Sequence, residues 1–341
     1  MVKRMLCVVS VICATFALAE AQSPQFYMDM GDASVFNGID CNIVESTYGD
    51  VDVWNVTLTN TSKEDFCPVK AGIRLGIDTY MDKYPDWLDK YFPTLLYCNR
   101  THFHGYLQTP TGKMLGIVST DPIASWSVDY NLAYEEPAGY WFYGHRISSV
   151  NLDLINALPL PEHNPQDRWK LEPGQSMSWK IMLKKINDPS EYERQIHQIS
   201  GVPMIRMGQT SFTVGQEAVF EVFAEKPVVN IVDGDGNKVQ VKKKKSGDRW
   251  IVTCRLDTPG LYDIDVHSGD FVTDGKLSVH QPWEWTMRQA RSEAMKHKQR
   301  ATSHVESWYG YHSAFITAKY FPDDSVDVAL AERFDRQMKL L

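Results

Sequence analysis

No stretch of this chain is long and apolar enough to cross a bilayer: the most apolar run, Met5 to Leu18, falls short of the roughly 20 residues a spanning helix needs. A membrane anchor is therefore not expected. Positive charge is also scarce, with 35 Lys and Arg against 43 Asp and Glu for a net charge of -8. Without a broad basic face to neutralise phosphates, nucleic acid is excluded as a partner. Cysteines are few and scattered, and none forms a close C-x-x-C pair of the kind a zinc ribbon requires. There is no G-x-S-x-G nucleophile elbow, phosphate-cradling loop or dinucleotide fingerprint, so neither a cofactor nor a resident metal is expected.

What is present begins with an export signal. Lys3 and Arg4 precede the apolar run, and small residues stand at Ala17, Ala19 and Ala21, the three parts of a cleavable leader. Residues 1–21 read as a signal peptide, which sends the mature protein to the periplasm, cell surface or medium. Cys41, Cys67, Cys98 and Cys254 then remain in a compartment where disulfides persist. Isolated thiols and bridges both stay open, and four cysteines allow three full pairings. Aromatic residues make up 12% of the chain, with 10 Trp and 16 Tyr; rings of this kind serve both sugar-binding surfaces and β-sandwich cores.

The pattern changes twice along the sequence. Over residues 22–187, Trp54-Val56-Leu58, Ile73-Leu75-Ile77 and Met177-Trp179-Ile181-Leu183 alternate with polar neighbours, the period of half-buried strands. His102 to Ser119 reads as a hairpin turning at Thr109-Pro110-Thr111-Gly112-Lys113. These strands make a large antiparallel β-sandwich. Over 188–202, Asp188, Pro189 and Gly201 supply the start and stop signals of a linker helix. Residues 203–281 carry further short strands bounded by Gly, Asp and Pro, a size and count that suit a small immunoglobulin-like sandwich. Within it, Asp233-Gly234-Asp235-Gly236-Asn237 starts like a calcium loop but has Lys238 and Lys244 where Gly and Glu are required, so a tight turn is expected. The lone basic run, Lys242 to Lys245, reads as a solvated hairpin tip. From 282 to 341 strand alternation stops and three amphipathic helices are expected, over 283–300, 303–320 and 325–341. The fold class is mainly β with a C-terminal α segment.

Three motifs carry candidate chemistry. His102-Phe103-His104 puts two imidazoles on one strand face, but without a spaced third ligand no metal site is assigned. Tyr140, Trp141 and Tyr143 form the densest aromatic cluster and are followed by His145 and Arg146; rings to stack a sugar and polar heads for its hydroxyls or carboxylate make this a candidate binding segment. His304, Trp308, Tyr311 and His312 share one helical face, with Tyr309 and Glu306 nearby. That face suits a sugar-binding lining, and helix packing with hydrogen-bonded histidines is its alternative.

The order of parts, and the stretches Arg74-Leu75-Gly76-Ile77-Asp78-Thr79-Tyr80-Met81, Asp121-Pro122-Ile123-Ala124-Ser125-Trp126, Gly144-His145-Arg146-Ile147 and Ala301 to Tyr309, resemble secreted bacterial carbohydrate-active enzymes. In these enzymes β-sandwich domains accompany an (α/α) toroid. The resemblance implies a glycoside hydrolase or polysaccharide lyase acting on a complex, uronate-bearing polysaccharide. It also implies a cleft with His304, Glu306 and His145 in catalysis and Tyr140, Trp141, Tyr143, Arg146, Trp308, Tyr309, Tyr311 and His312 holding the sugar. Three helices are fewer than a toroid holds, so the chain is expected to be the N-terminal portion of such an enzyme, either a truncated gene product or half of a split one whose downstream helical domain lies on a separate chain. Noncatalytic carbohydrate binding is the alternative.

Overall fold

The computed structural model describes residues 23–31, 36–77, 79, 86–132, 145–296 and 316–338. The leader expected over 1–21 lies outside them. Two compact units are formed. One holds the described residues up to Met204 with Phe223–Pro227 and His267–Thr273; the other holds Ile205–Val222, Val228–Val266 and the chain from Asp274 onward.

The first unit is a sandwich of two antiparallel sheets. Four strands, β1 (Gln25–Asp29), β4 (Lys70–Gly76), β9 (His145–Ile155) and β8 (Ser125–Leu132), lie in the order β1-β4-β9-β8. Six others lie in the order β2-β3-β10-β7-β6-β5: β2 (Ile39–Tyr48), β3 (Val51–Asn60), β10 (Ser176–Ile186), β7 (Met114–Ser119), β6 (Phe103–Gln108) and β5 (Phe92–Cys98). The expected hairpin is β6 and β7, paired from Phe103↔Ser119 to Gln108↔Met114 around Gly112 at φ 92.

Strand alternation sorts the side chains by face. Trp54, Val56 and Leu58 of β3 and Trp179, Ile181 and Leu183 of β10 join Ile73, Leu75, Val150 and Leu152 of the four-stranded sheet in one core. Each such side chain, fully buried, contributes about 2 kcal/mol. The opposite face of the six-stranded sheet holds Val53, Met114, Val118, Met182 and Ile186, and these pack with Tyr192 and Ile196 of α1 (Tyr192–Ser200). The helix expected as a linker thus also seals a second core. Gly116 makes room for it, since a Cβ there would meet the Cδ1 atoms of Ile196 at 2.9 Å and Ile186 at 3.1 Å. Asp188 caps a short 3-10 turn, Pro189–Glu191, and α1 begins after it, ending at Gly201 with φ 77.

The second unit is immunoglobulin-like. Strands β11 (Met204–Arg206), β13 (Glu217–Phe223), β16 (Arg249–Arg255) and β15 (Val241–Ser246) form one sheet; β12 (Ser211–Thr213), β18 (Phe271–His280), β17 (Gly260–Ser268) and β14 (Val228–Val232) form the other, with β12 parallel to β18. This is the A-B-E-D order against a G-F-C sheet extended by a parallel first strand. Tyr262, near the start of β17, donates its hydroxyl to the Thr258 carbonyl at 3.0 Å and accepts from the Thr258 amide at 3.1 Å, the corner that pins this sandwich type. Asp233 accepts from the amides of Asp235 and Asn237 at 3.0 and 2.8 Å, closing the expected turn. Lys242 to Lys245 form the body of edge strand β15, and the turn lies beyond them at Gly247.

At the C-terminus stand α2 (Trp283–Lys296), a helical stretch at 316–320 and α3 (Asp324–Met338). Arg291, its side chain 3% exposed, bonds Asp327 at 2.9 Å and the Phe321 carbonyl at 3.2 Å, pinning these segments together. A toroid is not shown among the described residues, and residues 303–315 of the expected middle helix lie outside them. No described helix is long and apolar enough to cross a membrane.

Candidate functional site

The face of the four-stranded sheet turned away from the core is polar across all four strands. Its register sets Tyr27, Gly72, Asp153 and Ser125 in one row, Gln25, Arg74, Asn151 and Ser127 in the next, and Gly76, Ser149 and Asp129 in a third. Neighbouring positions such as Phe26, Met28, Ile73 and Leu152 face the core, so the alternation delivers these polar side chains to the same side.

Asp153 is the hub of this face. It is 1% exposed and accepts from Ser125 at 2.7 Å, from Ser127 at 3.1 Å and from the Tyr27 hydroxyl. Asn156 in turn donates to Ser125 at 2.9 Å. The Tyr27 ring reaches Asp153 across Gly72, where a bulge between Ala71 and Gly72 draws the strands so close that a Cβ would lie 1.9 Å from the Leu152 carbonyl oxygen. Glycine is therefore obligatory at the centre of the face.

Above this buried layer lies a charged one. Arg74 bonds Asp129 at 2.5 Å through Nη2 and Asn151 at 3.3 Å through Nε, and its guanidinium sits 5.3 Å from the Tyr27 ring centre. Lys70 lies 4.0 Å from Asp129 and donates to Ser127 at 3.3 Å. The side chains of Arg74, Lys70 and Asp129 keep 40%, 26% and 34% of their exposure, so they present their heads while anchored from below. An oriented guanidinium is suited to a carboxylate, while Ser125, Ser149, Asn151 and Asp153 are buried and serve as the layer beneath it.

Burial dominates the electrostatics. Desolvation raises the Asp153 carboxyl above the usual range, opposed by its three hydroxyl donors and by Lys70. Tyr27 is raised well beyond an ordinary phenol by its own burial and then by the Asp153 charge, so its proton stays on the ring at neutral pH.

The second polar cluster is His102-Phe103-His104. His102 bonds Asn99 and Thr101, each at 3.1 Å, and His104 bonds Tyr192 at 3.2 Å. Burial holds His104 down to about 4 and His102 well below its usual value. Both rings are neutral core groups with partners, and no group of three or more metal-ligating side chains exists among the described residues. Among the described residues, Cys41, Cys67, Cys98 and Cys254 form no disulfide.

Of the residues predicted from sequence, Tyr140, Trp141, Tyr143, His304, Glu306, Trp308, Tyr309, Tyr311 and His312 lie outside the described residues. His145 and Arg146 open β9, opposite Leu132 and Asn131 of β8. Three of the stretches that carry the family resemblance run onto neighbouring strands: Arg74 to Gly76 on β4, Ser125 and Trp126 on β8, and His145 to Ile147 on β9. The polar face they share was hidden in the sequence because Ser, Asn and Asp usually mark turns. The signal that betrays it is their strict alternation with Val and Leu in Ser149-Val150-Asn151-Leu152-Asp153-Leu154.

No protein-family model matches the chain, and no curated protein matches it. Among solved structures, a polysaccharide lyase superposes over 80% of this chain with a TM-score of 0.51 at 16% identity. The fold resembles that of a polysaccharide lyase. This chain covers 38% of the lyase's length. The chain also matches the Lin-41 filamin domain, with a TM-score of 0.22 and 10% identity over 23% of this chain and 92% of that domain. It matches a titin M4 domain with a TM-score of 0.18 and 15% identity, over 23% of this chain and 94% of that one.

Proposed function

We propose that this chain is an exported glycan-degrading enzyme or its N-terminal portion, cleaving a uronate-bearing polysaccharide by lyase chemistry. The observation that carries the proposal is the superposition of 80% of the chain on a polysaccharide lyase; the polar sheet face supports it with a surface matched to an acidic sugar. In such a reaction a base removes the proton on the carbon next to the uronate carboxylate. The glycosidic oxygen leaves from the neighbouring carbon, and a conjugated unsaturated sugar remains. A cation neutralises the carboxylate while charge builds on it.

Arg74, held by Asp129 and Asn151 with its side chain 40% exposed, is the proposed carboxylate holder on the sheet face. His145, His304 and Glu306 remain the proposed acid and base groups. Tyr140, Trp141, Tyr143, Arg146, Trp308, Tyr309, Tyr311 and His312 remain the proposed sugar contacts. Tyr27 is not the base, because burial and Asp153 fix its proton. The buried Tyr27 phenol supports the second reading, noncatalytic glycan binding, in which the polar face would hold the sugar without supplying a base.

Incubation with a panel of uronate-bearing and neutral polysaccharides separates the possibilities. Conjugated product from the uronate glycans alone is the expected result. New reducing ends without conjugation would make the chain a hydrolase, and neither signal would remove the enzymatic reading.

A further inference from the structure

The net negative charge of the chain conceals one local exception. On the sheet β11-β13-β16-β15, cross-strand pairing places Lys242 beside Thr253 and Val219, Lys244 beside Ile251 and Glu221, and Arg255 beside Glu217. The buried neighbours Ala218, Phe220, Val222, Val252 and Cys254 occupy the other face. Arg206 and Arg249 both reach Glu221, at 3.1 and 2.8 Å, and so share the outer face. That face carries Arg206, Lys242, Lys244, Arg249 and Arg255 against the carboxylates Glu217 and Glu221, with Asp257 paired to Arg255 at its end.

Two features make it more than a solvated surface. Lys242 and Lys244 form no ion pair among the described residues, and at the rise of a strand they stand about 7 Å apart along the sheet edge, a linear row of charge. Exposed Val219, at 53%, shares this face with Ile251 as an apolar platform, with Glu217 and Glu221 on either side of it along β13. Beside Lys242 the edge opens into a cleft of about 530 Å³ whose charged lining is Lys238, Lys242 and Arg255 together with Glu217, Asp233 and Asp257.

We infer that this outer face binds a linear polyanion, a polysaccharide with carboxylates repeated along its length. The contact is noncatalytic and belongs to the immunoglobulin-like unit. Carboxylates would meet the lysines and Arg255, and sugar rings would rest on Val219 and Ile251. The choice of an acidic glycan rests on the proposed function, but binding and cleavage are read separately: polymer retained without conjugated product would leave this face standing and remove the lyase.

The test is affinity electrophoresis of the full chain in gels containing a polyuronate, a neutral glycan or duplex DNA, with wild type beside the triple variant Lys242→Gln, Lys244→Gln, Arg255→Gln. The expected result is retardation by polyuronate alone, a dissociation constant about tenfold higher for the triple variant, and a shallower dependence of affinity on salt, as fewer counterions are released. An Ile251→Asn variant reports the platform and should weaken binding while keeping its salt slope. Equal retardation of wild type and triple variant would overturn the inference and leave the lysines as guards of an exposed sheet edge. Equal binding of duplex DNA would overturn the ligand class.

Discussion

At the scale of single residues, the first unit stakes its stability on buried groups that must keep one protonation state. His104 stays neutral in the fold down to about 4, while in the unfolded chain it takes up a proton near its ordinary value of about 6.5. Between those limits the unfolded state binds more protons, so stability is complete above about pH 6.5 and is lost as the pH falls. The slope is about 1.4 kcal/mol per pH unit for each such histidine, and His102 adds in the same direction. Asp153 acts oppositely: its raised value lets the folded state take up a proton first, which favours the fold as the medium becomes acidic. His104→Asn keeps an acceptor toward Tyr192 and removes one titration. Urea unfolding between pH 6.5 and 4 should therefore show a pH slope shallower than wild type by about 1.4 kcal/mol per unit; an unchanged slope would mean that the imidazole titrates normally. Asp153→Ala, which strands the hydroxyls of Tyr27, Ser125 and Ser127, should cost about 3 kcal/mol, and Asp153→Asn, which keeps an acceptor, clearly less.

At the scale of elements, two glycines test how tightly the layers fit. An added methyl at Gly72 meets backbone, 1.9 Å from the Leu152 oxygen and 2.7 Å from the Leu154 nitrogen, and neither can yield without parting β4 from β9. At Gly116 the same methyl meets the tips of Ile196 and Ile186, which can rotate. Gly72→Ala should cost roughly 3 kcal/mol or abolish folding, and Gly116→Ala about 1 kcal/mol. Thermal unfolding of the two variants orders them, and equal losses would contradict the bulge as the reason for Gly72.

Element identity was largely legible in the sequence. Alternation marked β3, β4 and β10, the Thr109 to Lys113 turn marked the β6-β7 hairpin, and Pro189 and Gly201 bounded α1 closely. Two features were not legible, for physical reasons. A strand of Lys242 to Lys245 has no apolar face to announce it, because β15 is an edge strand whose pairing with β16 supplies its order. The polar face around Asp153 uses turn-forming residues that only cross-strand register brings together. Of the predicted sugar site, His145 and Arg146 are described by their place on β9, and the remaining residues fall beyond the described part of the chain.

At the scale of the whole molecule, a sandwich with one polar outer face, an immunoglobulin-like unit with a lysine-bearing outer face and a few helices are the parts on which the proposed handling of an acidic polysaccharide rests. Each part follows from alternation read against what lies on either side of a sheet. The central claim is that the Asp153-supported face holds a uronate through Arg74. Calorimetric titration of a short oligouronate into wild type and into Arg74→Ala, with near-ultraviolet circular dichroism to verify the fold, tests it most directly. The account predicts binding that is weakened about tenfold or more in the variant and no heat from a neutral oligosaccharide of the same length. Equal affinity of the two proteins for the oligouronate would contradict it.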